Sequence, residues 1–291
     1  MADDFREWIG RTEVLDDPMS VTQARAVQAM LDDTARELDP GDALPLPWHW
    51  FYFLPRAAQS ALDDDGHPKR GGFLPPIPYP RRMFAGARMQ MHRPLRLGRS
   101  ARREAVIRDV VMKSGKSGSL AFVTVGLRFV QDGALCVEEE QDIVYREPGA
   151  RVPAPVHAEW PALPPASMAR EWRPDSRLLF RFSALTFNAH RIHYDRPYAN
   201  EVEGYPGLVV HGPMTAVMLL RLAQSASGRE PMTFAFRGLA PLFDLGPVRL
   251  VATPVEDRVE LQAQGPDGVN TMAATAGFVV APADPAARAG S

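Results

Sequence analysis

The chain has 291 residues, room for two domains of about 150 residues each, and a formal net charge of −2. That balance gives no global basic field for nucleic acid. Cys136, the lone cysteine, excludes an internal disulfide and suits a reducing compartment. The N-terminus M-A-D-D-F-R-E-W is not leader-like, and no apolar run reaches the roughly 18 residues of a membrane helix, so a cytoplasmic protein with no membrane partner is expected.

Residues 3 to 9 and 20 to 36 read as helices, the second with Ser20 at its N-cap and a stripe of Ala24, Val27, Met30 and Leu31. Residues 45 to 54 form an aromatic cluster, and 63 to 82 a proline-rich irregular loop. The segments 106–111, 120–130 and 135–145 are β-branched and partly alternating, and Asp132-Gly133 marks a hairpin turn. Lys113-Ser-Gly-Lys116-Ser-Gly lacks phosphate-loop spacing and reads as a hairpin turn. Six prolines between 148 and 165 form a stiff, extended linker. The expected domains are therefore 1–147, a linker at 148–170, and 171–291. In the second unit, Arg177 to Leu185 reads as a strand, 187–195 as a loop, Pro197 to Val202 as a short helix and Pro213 to Ser225 as an apolar helix. Four strands then follow, near 232–241, 247–254, 257–264 and 269–280.

The halves echo each other. M-Q-M-H-R-P-L-R-L-G from Met89 and F-A-F-R-G-L-A-P-L-F-D-L-G from Phe234 share an apolar strand, Pro-Leu or its near equivalent, and a closing Leu-Gly. Such self-similarity predicts a duplicated module of long antiparallel strands. Only the second copy has an evident central helix. The first is expected to fill that space with the aromatic segment and the proline-rich loop, leaving one active half and one altered half.

Chemistry concentrates in F-S-A-L-T-F-N-A-H-R-I-H-Y-D, residues 182 to 195, and in G-Y-P-G-L-V-V-H-G-P, residues 204 to 213. His193 leads as a proton-transfer residue, with His190 as a second candidate. Asp195 can orient an imidazole or cap the helix that follows. Asn188 can hold a water but cannot be a strong base. His211-Gly212-Pro213 opens the apolar helix, whose first backbone N–H groups are unpaired and can face a carbonyl oxygen. Arg237, a charge inside an apolar strand, needs a partner: a substrate carboxylate, a carrier phosphate, or Asp244. No His-Glu-x-x-His or cysteine cluster accompanies the histidines, so no metal is expected.

Together these segments resemble the MaoC-like enoyl-thioester hydratases with a fused double hot-dog fold, and within them the branch acting on mesaconyl-C4-CoA and itaconyl-CoA. Trp48 to Leu54, R-R-M-F-A-G from Arg81 and E-E-Q-D-I-V-Y-R-E from Glu139 add support. The resemblance implies an α+β double hot-dog: two long antiparallel sheets, each wrapping a central helix, the N-terminal helix reduced. It implies a hydro-lyase that adds water across a double bond conjugated to a CoA thioester, giving a product such as citramalyl-CoA. No cofactor is implied beyond the CoA of the substrate, and homodimers are compatible with such folds. In the wider family's G-D-x-N-P-L-H motif the Asp and His act on water and on the α-carbon proton. The His position matches His193 and the Asp position Asn188, while His190 and Arg191 match the Asn and Pro. The glycine that polarises the thioester matches Gly212, beside His211. Arg191 or Arg237 would meet a free carboxylate. The rivals are a fatty-acyl-thioester dehydratase and a non-catalytic acyl-CoA-binding module.

Overall fold

A computed structural model describes residues 4–115 and 118–278. Ten strands form one antiparallel sheet: β1 (Thr12–Asp17), β2 (Arg81–Met91), β3 (Ala101–Gly115), β4 (Gly118–Gln131), β5 (Ala134–Arg146), β6 (Met168–Trp172), β7 (Thr233–Gly238), β8 (Val248–Val255), β9 (Arg258–Gln264) and β10 (Asn270–Gly277). Their spatial order is β1-β3-β4-β5-β2-β7-β10-β9-β8-β6. The order is symmetric about the β2–β7 seam, since β5, β4, β3 and β1 on one side answer β10, β9, β8 and β6 on the other. The two echoing strands pair with each other, Met89 opposite Phe234. The expected two sheets are thus one continuous sheet, because the edge strand of each copy satisfies its ladder on the other.

The seam brings two backbones unusually close. A Cβ built on Gly86 would lie 2.6 Å from the Phe236 carbonyl oxygen, nearer than real contacts allow. Just before it, the β2–β5 register shifts between Phe84 and Gly86, leaving Ala85 as a bulge.

Among the described residues, three α-helices accompany the sheet: α1 (Val21–Met30), α2 (Ser176–Leu185) and α3 (Gly212–Ser227). The helix expected over 20–36 stops early, Asp32 taking a positive φ of 50°, and the Ser20 side chain makes no capping bond. Only Arg6–Trp8 of the first expected helix is helical, as a 3-10 turn. Residues 177–185 are a helix rather than a strand. Asp175 caps it by accepting the Leu178 N–H at 2.9 Å, and Leu178, Leu179, Phe182 and Leu185 share one helical face, with Leu179 and Phe182 buried. Strands β1 and β6 were not anticipated; β6 spans the end of the expected linker and the start of the expected second unit. The stretch 148–167 ahead of it holds no regular helix or strand. Asp132-Gly133, with φ of 52° and 72°, makes the anticipated two-residue turn. Lys116 and residues 279–280 lie outside the described residues.

Helix α3 is the central helix of the second half. Pro213 sits in its first turn, Gly228 ends it at φ 65°, and its apolar faces pack on β8, β9 and β10. Among the described residues of the first half, no α-helix takes the corresponding place. The 3-10 turn Trp48–Phe51 fills part of it, with the His49 ring 4.5 Å from Phe129 and Trp50 edge-on to Phe84 and Phe236. Glu139, fully buried on β5, holds this segment: His49 Nε2 lies 2.7 Å from it, and Trp50 Nε1 donates to it at 2.9 Å. Among the described residues, no helix is long and apolar enough to cross a membrane.

The seam contact gives a stability test. Gly86→Ala is expected to destabilise the fold by about 1–3 kcal/mol through overpacking against backbone that cannot rotate away. Chemical denaturation measures this; an unchanged midpoint would show that β2 and β7 can separate at no cost.

Candidate active site

A cavity of about 870 Å³ lies beside the seam. Strands β2 to β5 and the aromatic segment wall one side. His190, His193, His211, Gly212 and Thr215 line the other. The α2 helix delivers the chain to a tight turn, where Phe187 takes φ 50°. A 3-10 turn over Arg191–His193 then presents the histidines.

His193 is buried with its ring stacked on His211, centroids 3.6 Å apart and planes 18° apart. Its Nδ1 lies 2.7 Å from the Val209 carbonyl oxygen. A carbonyl only accepts, so Nδ1 carries the proton and Nε2 keeps its lone pair. Burial lowers the His193 pKa to about 4, against the opposing pull of the Val209 bond. Burial likewise pushes His211 well down, with His193 and His190 adding to it, and pushes His190 down, with His67 and His193 adding. The site therefore holds neutral imidazoles at physiological pH. His211 stands at the N-cap position of α3 without a side-chain capping bond; its Nε2 meets the Ser183 hydroxyl at 2.9 Å, and its Nδ1 is buried without a partner.

Gly212 opens α3 on the cavity. An added Cβ would meet nothing closer than the Phe84 carbonyl oxygen at 3.7 Å, so crowding within the protein does not account for the glycine. Its bare backbone leaves room for a ligand oxygen at the positive end of the helix.

Two site residues stand elsewhere than their expected roles require. Asp195 does not orient His193. It accepts Arg191 Nε and Nη2 at 3.0 and 2.8 Å and caps the next turn through the Tyr198 N–H at 3.1 Å. The Val209 carbonyl does the orienting instead. Arg191 is correspondingly committed: besides Asp195, it donates to the Asp64 carbonyl at 3.0 Å and lies over the Tyr198 ring at 4.0 Å. It is not among the residues lining the cavity. Asn188 does line it, but its Oδ1 accepts the His190 N–H at 3.0 Å. What remains free is the amide's donor, not a base. Arg237 is exposed and lines the cavity. Asp244, its sequence-level alternative, bonds Arg196 and the Leu208 N–H instead.

Residues not singled out from sequence complete the wall. His67 lines the cavity with its ring centroid 4.0 Å from that of His190, which in turn stands 5.4 Å from His193. His67 Nδ1 lies 2.9 Å from Asp65 Oδ2. Burial alone would raise the Asp65 pKa, yet its bonds and attraction to His67 outweigh this and hold it below the usual carboxylate range. Asp65, His67 and His190 are close enough to surround a cation, but the Asp65 carboxylate is already turned to the His67 Nδ1–H. Arg82 and Arg146 also line the cavity, with no ion pair among the described residues, whereas Arg103 is paired with Glu13. The run D-D-D-G-H was the available signal for His67: an imidazole two residues from a carboxylate across a glycine.

Residues 47–244 match the family of hydroxyacyl-thioester dehydratases type 2. The mesaconyl-C4-CoA hydratase of Chloroflexus aurantiacus is 61% identical over 272 residues, covering 94% of this chain and 97% of the relative. Among solved structures, a MaoC-like dehydratase of Phytophthora capsici superposes with a TM-score of 0.69 at 12% identity, covering 97% of this chain and all of that one. A Mycobacterium tuberculosis protein with a double hot-dog fold gives 0.56 at 13% identity, covering 92% and 96%. The ten-stranded α+β architecture is a double hot-dog, and with a family match across most of its length the chain belongs to the hydroxyacyl-thioester dehydratases type 2.

Proposed function

We propose that the protein reversibly hydrates mesaconyl-C4-CoA, or a closely similar branched unsaturated dicarboxylyl-CoA, to a hydroxyacyl-CoA such as citramalyl-CoA. The observation that carries this reading is the 61% identity to a hydratase of that name over 97% of its length. The site geometry supplies the parts the reaction needs. The thioester oxygen sits against the Gly212 N–H at the start of α3, which stabilises the enolate that forms as the double bond is consumed. Water adds to the β-carbon, which bears the methyl and the free carboxylate. His193 Nε2, a lone pair fixed by the Val209 bond, takes the water's proton and returns it to the α-carbon. Both protons of the water thus end in the product and the imidazole is restored.

The free carboxylate needs a guanidinium that is not already paired. Arg191 is excluded by Asp195. Arg82, Arg146 and Arg237 line the cavity and carry no ion pair among the described residues, so one of them takes the carboxylate. The fatty-acyl rival keeps some ground, because most of the remaining lining is apolar: Phe73, Leu74, Phe122, Val125 and Leu127.

A coupled hydration assay with mesaconyl-C4-, itaconyl-, crotonyl- and long-chain enoyl-CoA tests the reading. The dicarboxylyl thioesters are expected to give the highest kcat/KM; preference for the long chain would favour the rival. His193→Ala should lower kcat by about 10²- to 10⁴-fold, and retained turnover would remove it from the mechanism. Of Arg82→Ala, Arg146→Ala and Arg237→Ala, the one that removes the carboxylate's partner should raise KM for the dicarboxylyl substrate at least about ten-fold, without a matching rise for crotonyl-CoA. If none does, the carboxylate is bound elsewhere. The neutral form of His193 is the active one, so kcat/KM should hold as pH falls through the ordinary histidine value near 6.5 and decline only toward about 4. A pH–rate profile with its acid limb at 6.5 would contradict this.

A further inference from the structure

Asp65 and His67 come from the proline-rich loop of the first half, yet they stand against the histidine turn of the second. The Arg191 N–H donates to the Asp65 carbonyl at 2.9 Å, and Arg191 Nη1 to that of Asp64 at 3.0 Å. Between Asp65 and His67, Gly66 takes φ +90°, and a Cβ there would lie 1.8 Å from the Ala189 carbonyl oxygen. No side chain fits at that point; the close approach is what carries His67 to the cavity wall beside His190.

The chemistry of the pair repeats that of His193. A carboxylate only accepts, so His67 Nδ1 is the protonated nitrogen and Nε2 the lone pair. The site thus has two imidazoles, the half-buried His67 and the buried His193, each with its tautomer fixed through Nδ1 by an oxygen acceptor. At the position where the wider family has a carboxylate, Asn188 has spent its oxygen on the His190 N–H. His190 and His211 stand beside His193, but neither has an oxygen acceptor that fixes its tautomer through Nδ1.

We propose that His67, backed by Asp65, is a second catalytic residue: its Nε2 accepts the hydrogen of the attacking water that His193 does not take. The pair would stand in for the carboxylate missing at position 188. Water has two hydrogens, and an oxygen attacks carbon best when both are held by acceptors. The O–H bond directed at His193 breaks as the water oxygen bonds the β-carbon, and its electron pair enters the new C–O bond. The displaced π pair passes to the thioester enolate at Gly212. His193 then returns its proton to the α-carbon. The hydrogen on His67 is never lost by the oxygen and becomes that of the product hydroxyl. Nothing is oxidised and no other reactant is consumed. The first half of the duplicated fold thereby contributes to the chemistry as well as to the wall.

The inference rests on the hydration reading, and its test separates the two. Wild-type enzyme, His67→Gln and Asp65→Asn are assayed with mesaconyl-C4-CoA across pH, with circular dichroism and thermal unfolding to follow folding. His67→Gln is expected to lose about 10²-fold in kcat with KM changed less than about three-fold. Asp65→Asn is expected to fall in between. Removing the anion frees the His67 tautomer, so the Asp65→Asn loss should fall on kcat with KM changed less than about three-fold, whereas loss of packing would raise KM as well. If His67→Gln unfolds, the kcat–KM split of Asp65→Asn decides. His67→Gln within three-fold of wild-type kcat, or Asp65→Asn with wild-type kcat, overturns the proposal. So does one equivalent of zinc on the purified protein with activity lost on chelation, which would assign Asp65, His67 and His190 to an ion. A wild-type enzyme that hydrates none of the thioesters defeats the functional reading itself.

Discussion

The site depends on one backbone contact, the antiparallel pairing of β2 with β7 across Gly86 and Phe236. Each copy of the module contributes an edge strand, and joining the edges makes a single sheet with a cavity beside the join. The bulge at Ala85 lies in the same stretch. It brings the Phe84 carbonyl to 3.7 Å from where a Gly212 side chain would stand, so the seam and the start of α3 share one piece of backbone. Bulges recur near active sites because they re-aim a strand locally without ending it. Here the bulge lets β2 turn from its partner β5 to the helix that faces the cavity.

Burial then decides the electrostatics. The histidines are packed in a row, centroids 4.0, 5.4 and 3.6 Å apart from His67 through His190 and His193 to His211. Adjacent imidazolium ions so close would repel, and desolvation already disfavours the charged form, so the row is neutral, and the Nε2 atoms of His67 and His193 accept rather than donate. The oxygens on Nδ1 matter as much as the imidazoles. Without Val209 or Asp65 on that atom, either tautomer would serve, and the lone pair would face the cavity only part of the time.

Much of this was legible in the sequence, and the failures have identifiable causes. The duplication, the α3 helix, the hairpin at Asp132-Gly133 and the cluster around His193 all follow from local pattern. Residues 177–185 misled because L-L-F-R-F suggests alternation when read alone; the Asp175 cap and the 178, 179, 182, 185 spacing resolve it as a helix. The early end of α1 is set by the left-handed Asp32 and not by composition. Asp195 could have oriented an imidazole or capped a turn, and only coordinates distinguish these. His67 lies 123 positions before His190, so the contact between them is invisible to spacing. It is made by a glycine whose necessity appears only when Ala189 is placed against it.

The asymmetry of the two copies also takes a different meaning. Sequence suggested an active half and an altered one. In the second half α3 packs on β8, β9 and β10 and fills the space over them. Over β3, β4 and β5 no α-helix takes that place, and the cavity wall there is made of Ala105, Val125, Leu127, Phe129 and Ile143. An α-helix with side chains is about 10 Å across, so its absence leaves a volume of the order of this cavity, only partly occupied by the 3-10 turn at Trp48–Phe51. That turn is tied to the sheet by the buried Glu139, which bonds both His49 and Trp50. The first half is thus the half that has room. The missing helix provides the chamber, and the surviving one provides the helix N-terminus that faces into it.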